Sequence, residues 1–234
     1  MKKIEMIYEG KAKKLFTTEG KDVLIQEFKD DATAFNAQKK GTIIGKGVVN
    51  NKISAIIFKY LQKHGISTHF IKQLNERDML IRTLEIIPIE VTIRNIVAGG
   101  MAKMLGLEEG IVLDEPVLEY HYKNDALNDP LINRYHIRAL KLAVFKDLDK
   151  VKKLSFKIND LLKEFFSKRG LDLVDFKLEF GKYKSKIFLG DEISPDTCRL
   201  WEKKTGKKLD KDRFRRDMGE IEEAYREVLK RVVS

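Results

Sequence analysis

The sequence predicts an α+β protein with a small N-terminal antiparallel-sheet domain at residues 1–85 and a larger mixed α+β domain at residues 86–234. Three observations favour this class. Short runs of alternating apolar residues fill the first 85 positions, later segments place apolar residues three and four positions apart, and further strand patterns lie between those segments. A chain of 234 residues can bury one large or two small cores.

The N-terminal domain is predicted to contain five strands and one helix. We predict strands at residues 4–8, 13–16, 23–28, 67–74 and 78–84, and a helix at residues 45–63 that ends before Gly65. Gly10 separates the first two strands, so a tight turn can present backbone amides with Lys11 and Lys13 to an anionic ligand. Alone this signal is weak, because lysines on exposed turns are commonly solvated.

The second domain is predicted to begin with a half-buried strand. Four apolar residues alternate there with polar residues and a proline, and the polar face ends in Arg94: Ile87, Pro88, Ile89, Glu90, Val91, Thr92, Ile93 and Arg94. The strand leads into Ala98-Gly99-Gly100 and a short helix at residues 101–105, where backbone amides beside Arg94 could receive a phosphate. A plain strand-to-helix connection with a surface arginine is the alternative, and this segment alone favours it.

A β-hairpin is predicted at residues 175–192. Polar Asp175, Lys177 and Glu179 alternate with an apolar face, so they lie on one side of the strand. If residues 181–185 form the turn, centred near Tyr183, the returning strand brings Asp191 opposite Asp175. Three carboxylates would then converge.

Converging carboxylates repel one another unless a cation lies among them, and oxygen ligands without His or Cys favour magnesium. The alternative is a solvated strand face on which Lys177 bridges Asp175 and Glu179, and for this pattern alone that interpretation is favoured. Asp191, which follows a glycine at hairpin distance, shifts the balance towards a site. Arg199 is either a second guanidinium near this metal or a solvated surface residue.

Two amphipathic helices are predicted in the second domain. One has its apolar face at Leu148, Val151, Leu154, Ile158, Leu161 and Phe165 and ends at Gly170. The other runs through Phe214, Met218, Ile221, Tyr225, Val228 and Val232. Its spacing resembles a short coiled-coil seam, but a helix of two to three heptads more commonly packs on its own domain.

Composition narrows the functional classes. The net charge of +10 and pI of about 9.4 would suit nucleic acid, yet acidic residues are interspersed and RNA-binding motifs are lacking. Surplus lysine therefore fits small phosphorylated ligands as well as it fits RNA, and the charge alone does not decide between them. The single Cys198 suits a reducing cytoplasm and is expected to be a buried apolar residue rather than a catalytic thiol. Glu5 and Glu9 interrupt any signal sequence, and no apolar run is long enough for a membrane span.

Seven segments, taken together, resemble the SAICAR synthetase family of purine biosynthesis. They are YEGKAKKLF, KGVVNNKIS, PIEVTIRNIVAGG, YKNDALNDP, VDFKLEFG, LGDEISPDTCRLWE and LDKDRFR, in order from residue 8 to residue 215. The fifth and sixth are the most specific. The resemblance covers essentially the whole chain.

The resemblance implies ligation of L-aspartate to the carboxylate of carboxyaminoimidazole ribonucleotide (CAIR), which yields SAICAR, ADP and phosphate from ATP. It implies ATP and Mg²⁺ as cofactors, with ATP in a cleft between the two domains. We expect a cytoplasmic homodimer or larger homo-oligomer with no nucleic-acid or membrane partner. Two other classes of protein compete with this interpretation. A different ATP-dependent carboxylate–amine ligase would accept another amino acid in place of aspartate. A basic RNA-binding module would bind RNA with salt-dependent affinity and would show no turnover.

Motif positions imply a role for each site residue. The phosphate loop contains Lys11, Ala12 and Lys13, and Lys123 is a nucleotide contact. Magnesium and ATP are bound by Glu179 and Asp191. The ribonucleotide is surrounded by Arg94, Gly100, Arg199, Asp175 and Lys177, the last two as catalytic residues. Gly100 stands where the family usually has a serine, and Asn36 where an aspartate is usual. A carboxylate is a poor electrophile, so we expect an acyl phosphate that the aspartate amine attacks.

Overall fold

The computed structural model of the chain describes residues 1–34 and 38–234. Its first sheet is antiparallel, with strand order β1-β2-β3-β7-β6. These strands are β1 (Met6–Glu9), β2 (Lys13–Thr17), β3 (Val23–Phe28), β6 (Phe70–Gln73) and β7 (Asp78–Arg82). All five strands predicted for this part of the chain are therefore confirmed, with ends that differ by a few residues.

Two further elements accompany the first sheet. A ribbon of β4 (Asp31–Ala34) and β5 (Lys39–Thr42), which the sequence did not predict, leads into helix α1 (Lys46–Lys63). The helix prediction is confirmed, and Gly65 follows its end with φ +77°. Asn36, one of the two departures from the family pattern, lies outside the described residues.

The second sheet is also antiparallel and contains the longest strands. Its order is β10-β9-β8-β11-β12, with β13 paired to the N-terminal part of β11. The strands are β8 (Glu85–Ile96), β9 (Val112–Tyr122), β10 (Leu131–Ile132), β11 (Leu171–Tyr183), β12 (Lys186–Leu189) and β13 (Cys198–Glu202). The helices in this part of the chain are α2 (Gly99–Leu105), α3 (Arg134–Ala139), α4 (Phe145–Ser167), α5 (Asp212–Arg215) and α6 (Ile221–Val233), of which α4 packs on β8 and β11 and α6 packs on α1. Antiparallel sheets mixed with helices confirm the α+β class.

Alternation along β8 and β11 decides which face of the second sheet is buried. Ile87, Ile89, Val91 and Ile93 on β8, and Phe176, Leu178 and Phe180 on β11, all belong to the hydrophobic core. Because successive side chains on a strand point to opposite faces, the polar residues between them share the other face. The core thus fixes a polar platform on the sheet.

Backbone hydrogen bonds connect the two sheets. Leu189 at the end of β12 accepts from the amide of His69, and its own amide donates to Ser67, just before β6. The strands of the first sheet all precede residue 83, and those of the second all follow residue 84. The division into two domains near residue 85 stays a prediction. Within residues 1–34 and 38–234 no helix is both long enough and apolar enough to cross a membrane.

The C-terminal helix prediction was wrong in part. One continuous helix was expected from Phe214 to Val232, but α5 ends at Arg215 and α6 begins at Ile221. Asp217, Gly219 and Glu220 all have positive φ, which a right-handed helix does not allow. Met218 lies in this break and is exposed, whereas Tyr225, Val228 and Val232 of α6 are buried. The prediction failed because the helical spacing of apolar residues continues through these positions, although their backbone conformation interrupts the helix.

Asp30 ties the start of α1 to the first sheet, and this predicts an acid-sensitive contribution to stability. Its carboxylate accepts from Nη1 and Nη2 of Arg77, each at 2.8 Å, and from the amides of Gly45 and Gly47. Hydrogen bonds from Arg77, with those amides, lower the pKa of Asp30 from 3.8 to about 2.

A carboxyl group whose pKa is depressed on folding stabilises the fold above its unfolded pKa, and this contribution is lost as the pH falls through the folded value. We expect Asp30→Asn to lower the free energy of unfolding by about 2 kcal/mol at neutral pH, and the difference from wild type to vanish between about pH 4 and pH 2. Denaturant unfolding against pH measures this. Asp31→Asn, at an exposed neighbouring carboxylate, is the control, and an equal loss there would contradict the assignment to Asp30.

Candidate active site

The polar platform is formed where β11 pairs with β8. Asp175 is opposite Arg94, Lys177 is opposite Thr92, and Glu179 is opposite Glu90. The predicted alternation of Asp175, Lys177 and Glu179 with a buried apolar face is confirmed. Asp175 and Glu179 are four positions apart on the strand, so the two ends of the platform are about 13 Å apart.

Two arginines meet at one end of the platform. Asp175 Oδ2 accepts from Nη1 of Arg94 at 2.8 Å and from Nη1 of Arg199 at 2.7 Å. Arg94 also pairs with Glu119 at 2.8 Å, and the Nε of Arg199 donates to Asp212 at 2.9 Å. The side chain of Arg199 is 17% exposed, so the solvated-surface alternative for it is wrong.

These carboxylates keep both guanidinium groups in fixed orientations. Burial alone would lower the pKa of Arg199, but the negative charges of Asp175 and Asp212 raise it above its ordinary value. Arg94 is only 7% exposed. Two fixed cations with planar donor groups suit a phosphate or a carboxylate ligand.

The glycine turn before α2 lies beside these arginines. Gly99 has φ +55°, and the guanidinium of Arg199 packs where a Cβ of residue 99 would be. Gly100 has no positive φ, and a Cβ there would lie 3.8 Å from the Nη2 of Arg94. The turn, Arg94 and Arg199 therefore come together, as the hypothesis of a phosphate receptor requires, and the plain-connection alternative loses its support.

Glu179 and Asp191 lie together at the other end of the platform. The amide of Gly190 donates to the backbone oxygen of Glu179 at 2.8 Å, which brings Asp191 beside that residue. Burial and the nearby charge of Asp191 raise the pKa of Glu179 to about 7, against the opposing effect of Lys123. Burial would also raise the pKa of Asp191, but the ammonium of Lys13 lowers it.

The prediction that Asp191 lies opposite Asp175 was wrong, and so was the convergence of three carboxylates. The turn was expected near Tyr183, but Lys184 and Ser185 form it, both with positive φ, and Tyr183 pairs with Lys186. In this register Asp191 lies beside Glu179, and Asp175 contacts the two arginines instead. Among the described residues no group of three or more His, Cys, Asp or Glu side chains is arranged to hold a metal ion.

Lysines neutralise the carboxylate pair. Lys123 forms an ion pair with Glu179, and Lys13 with Asp191 and, at 3.1 Å, with Glu192. Burial disfavours the charge on Lys13, but these carboxylates raise its pKa above the ordinary value. Two adjacent carboxylates, one of which raises the pKa of the other, fit a magnesium ion that completes its shell with water and phosphate oxygens.

The remaining predicted site residues lie in the turn at Gly10 and in the middle of the platform. The amide of Gly10 donates to the carbonyl of Lys13 at 2.8 Å, which closes the predicted turn. Lys11 reaches Asp125 at 2.7 Å, and the carbonyl of Ala12 accepts from the amide of Lys29 at 2.8 Å. Lys177 pairs with Glu90. The alternative in which Lys177 bridges Asp175 and Glu179 is therefore wrong.

Sequence reasoning missed three acidic residues that hold the site together. Glu192 accepts from the hydroxyl of Ser194 at 2.6 Å as well as from Lys13, and Glu119 and Asp212 hold the arginines. Glu192 and Asp212 lie in two of the quoted segments but had no role assigned. Cys198 is 2% exposed and burial raises the pKa of its thiol, which confirms its interpretation as an inert core residue.

Comparisons with known proteins agree with this geometry. The family model for SAICAR synthetase matches residues 6–232. The phosphoribosylaminoimidazole-succinocarboxamide synthase of Clostridium botulinum (strain Langeland) is 59% identical over 232 residues, with 99% of each chain covered. That of Caldanaerobacter subterraneus is 58% identical over the same length and coverage.

Solved structures show the same fold. The crystal structure of the synthase from Ehrlichia chaffeensis has a TM-score of 0.96 at 49% identity and covers 97% of this chain and 98% of its own. A SAICAR synthetase in complex with ADP has a TM-score of 0.93 at 50% identity and covers 96% of both chains. The resemblance seen in the seven sequence segments is thus confirmed, and the chain belongs to the SAICAR synthetase family.

Proposed function

We propose that the chain ligates L-aspartate to the carboxylate of CAIR through an acyl phosphate, with cleavage of ATP to ADP and phosphate. Membership of the family makes the chain a ligase of purine biosynthesis. The observation that carries the finer proposal is the platform on β11, which has paired arginines at one end and paired carboxylates with lysines about 13 Å away at the other. A phosphorylated substrate with a carboxylate at its far end suits that spacing.

We place the ATP phosphates at the carboxylate end. Lys11 and Lys13 extend from the turn at Gly10, and Lys123 reaches the same place from the end of β9. A family relative half identical to this chain binds ADP, which supports a nucleotide here. Glu179 and Asp191 would hold magnesium, which when bound would offset the charge of the phosphate oxygens.

We place the ribonucleotide phosphate at the arginine end. Arg94 and Arg199 would donate to it while Asp175 keeps their guanidinium planes oriented, and the amide of Gly100 would face it. Lys177 lies between the two ends of the platform and is paired with Glu90 alone among the described residues. Its ammonium would offset negative charge on the substrate carboxylate as the γ-phosphoryl group arrives.

Two steps follow from these positions. An oxygen of the CAIR carboxylate attacks the γ-phosphorus of ATP, the bond to the bridging oxygen breaks, and ADP leaves. The amine of aspartate then attacks the acyl carbon, and inorganic phosphate leaves with the carboxylate oxygen that attacked. If CAIR carries ¹⁸O in its carboxylate, mass spectrometry should find one ¹⁸O in the phosphate released. Phosphate without the label would contradict the acyl phosphate.

Lys13→Ala is expected to weaken ATP binding more than CAIR binding. The ammonium of Lys13 lies at the carboxylate end of the platform, far from the arginines. Loss of a charged contact of this kind costs about 1.5 to 3 kcal/mol. Calorimetric titration with each substrate measures the split, and Lys14→Ala, on the same strand but paired with Glu9, is the matched control. Unchanged ATP affinity in Lys13→Ala would refute the placement of the phosphate loop.

Gly100→Ser is expected to be tolerated and to tighten CAIR binding by roughly 0.5 to 1.5 kcal/mol, one net hydrogen bond. The space at Gly100 is open, since Nη2 of Arg94 is 3.8 Å from the site of a new Cβ. Gly99→Ser is the contrasting variant, because its φ of +55° and its contact with Arg199 both oppose a side chain. The KM for CAIR in each variant is the measurement. Complete loss of activity in folded Gly100→Ser would contradict the assignment at that position.

We also propose the cellular context. The two-domain division at residue 85 would put the ATP cleft between the sheets, and the chain would work as a cytoplasmic homodimer or larger homo-oligomer. Light scattering of the purified protein gives the mass in solution, and a monomer at all concentrations would contradict the expected assembly.

A further inference from the structure

Glu109 lies outside the platform, in the turn between α2 and β9, yet its carboxylate has four donors. Oε1 accepts from the amide of Gly99 at 3.0 Å and from Nη2 of Arg216. Oε2 accepts from Nη1 of Arg216 and from Nζ of Lys208, both at 2.9 Å. The side chain remains 29% exposed, so its charge interacts with solvent as well as with these partners.

These contacts continue to an arginine of the platform. Nη2 of Arg216 is 3.7 Å from Asp212 Oδ2, the oxygen that accepts from Nε of Arg199. The guanidinium of Arg199 in turn packs against Gly99, whose amide donates to Glu109. Gly99, Glu109, Arg216, Asp212 and Arg199 therefore form a closed ring of contacts.

The ring connects two parts of the anion receptor that come from distant parts of the chain. The glycine turn is held on one side by Glu109, and Arg199 is held on the other by Asp212. Because Arg216 contacts both carboxylates, its ion pair with Glu109 links the turn to the residue that holds the Arg199 guanidinium. Hydrogen bonds from Arg216 hold the pKa of Glu109 well below its usual range, with smaller contributions from Gly99 and Lys208.

We propose that Glu109 is a positioning residue for the substrate phosphate, which sets the glycine turn against Arg199 without touching the ligand. This inference rests on the proposed placement of the CAIR phosphate at the arginine end. The lowered pKa of Glu109 means that its ion pair also contributes to stability, so the positioning role is read from the KM for CAIR compared with the KM for ATP. A shift of a few tenths of an ångström in either donor would weaken both hydrogen bonds to the phosphate.

The test compares Glu109→Gln with Glu108→Gln, a change at the adjacent carboxylate, which has no ion pair among the described residues. Glu109→Gln should raise the KM for CAIR on the order of tenfold, which corresponds to about 1.4 kcal/mol, with the KM for ATP unchanged. Arg216→Gln should give the same shift, and the double variant should add nothing, because both changes open the same ring. Glu108→Gln should behave as wild type.

Specificity for the phosphate is the sharper readout. With the ribonucleoside that lacks the phosphate, the kcat/KM of Glu109→Gln should equal that of wild type. An unchanged KM for CAIR, or an equal loss with the ribonucleoside, would overturn the proposal. Arg199→Ala shows which of the two proposals has failed. If both Glu109→Gln and Arg199→Ala leave the KM for CAIR unchanged, the placement of the phosphate at the arginine end is wrong. If Arg199→Ala raises that KM and Glu109→Gln does not, only the role of Glu109 is wrong.

Discussion

Glu179→Gln is expected to lower kcat by orders of magnitude while the protein remains folded. Glutamine keeps the size of the side chain and its capacity for hydrogen bonding, but it removes the charge that would hold magnesium beside Asp191. The neighbours of Glu179 on the buried face, Leu178 and Phe180, are unaffected by this change. Magnesium-dependent turnover, measured at saturating substrates, gives the result. Near-normal turnover would remove the metal site from this hairpin.

The same variant should become more stable relative to wild type as the pH rises. The pKa of Glu179 is raised to about 7, so ionisation of this residue in the ligand-free protein costs free energy of folding between its unfolded pKa of 4.5 and that value. Glutamine has no such cost. The melting temperature of Glu179→Gln minus that of wild type should therefore increase from about pH 5 to about pH 8. A constant difference across that range would contradict the raised pKa.

Leu178→Ala is the control for this variant on the opposite face of the strand. Leu178 is 1% exposed, and truncation of a fully buried leucine to alanine costs about 2 to 5 kcal/mol. We expect it to lower the melting temperature clearly and to leave the magnesium dependence of turnover unchanged. Together the two variants separate the chemistry of one face of β11 from the packing of the other.

Arg94→Ala is expected to have the second largest effect, on CAIR rather than on ATP. The guanidinium of Arg94 lies between Asp175 and Glu119, and it is 7% exposed. Removal of one partner from a buried charged network costs about 3 to 5 kcal/mol because the remaining charges lose their compensation. The KM for CAIR should rise by about a hundredfold or more, and the melting temperature should fall.

Two further variants decide what that result means. Arg94→Lys keeps the charge but not the planar pair of donors, so it should recover stability better than CAIR affinity. Arg134→Ala breaks the exposed ion pair with Asp149 and should change neither quantity noticeably. If Arg94→Ala raised the KM for ATP as much as that for CAIR, the separation of the platform into two ends would be wrong.

Local patterns were sufficient to predict much of this fold. The period-two alternation at residues 87–94 and 175–180 correctly gave the buried and polar faces of β8 and β11, because one face of each strand must pack in the core. Gly10 and Gly65 correctly marked a turn and a helix end. These are properties of short segments, in which each residue's environment depends on near neighbours.

Predictions that depended on the position of a turn were less successful. A displacement of the β11–β12 turn by about two residues moved Asp191 from Asp175 to Glu179, since register in a hairpin follows the turn. The break before α6 was missed because the apolar spacing of α6 happens to continue back to Phe214.

Partners that are distant in the chain were not predictable from the residues alone. Glu119 and Asp212 hold Arg94 and Arg199 from separate elements, and Glu109 reaches Arg216 across 107 positions. Only the packing of the second sheet and its helices brings these residues together. The family resemblance pointed to the two arginines and to Asp175, but not to Glu119 and Asp212, which also hold them.

A coupled assay of ADP release tests the central claim most directly. The purified chain, given ATP, Mg²⁺, CAIR and L-aspartate, should release ADP and form SAICAR in equal amounts. Omission of CAIR should abolish ADP release, and Glu179→Gln should lower both products together. ADP release that does not depend on CAIR, or SAICAR formation without ADP release, would contradict ATP-driven ligation at this site.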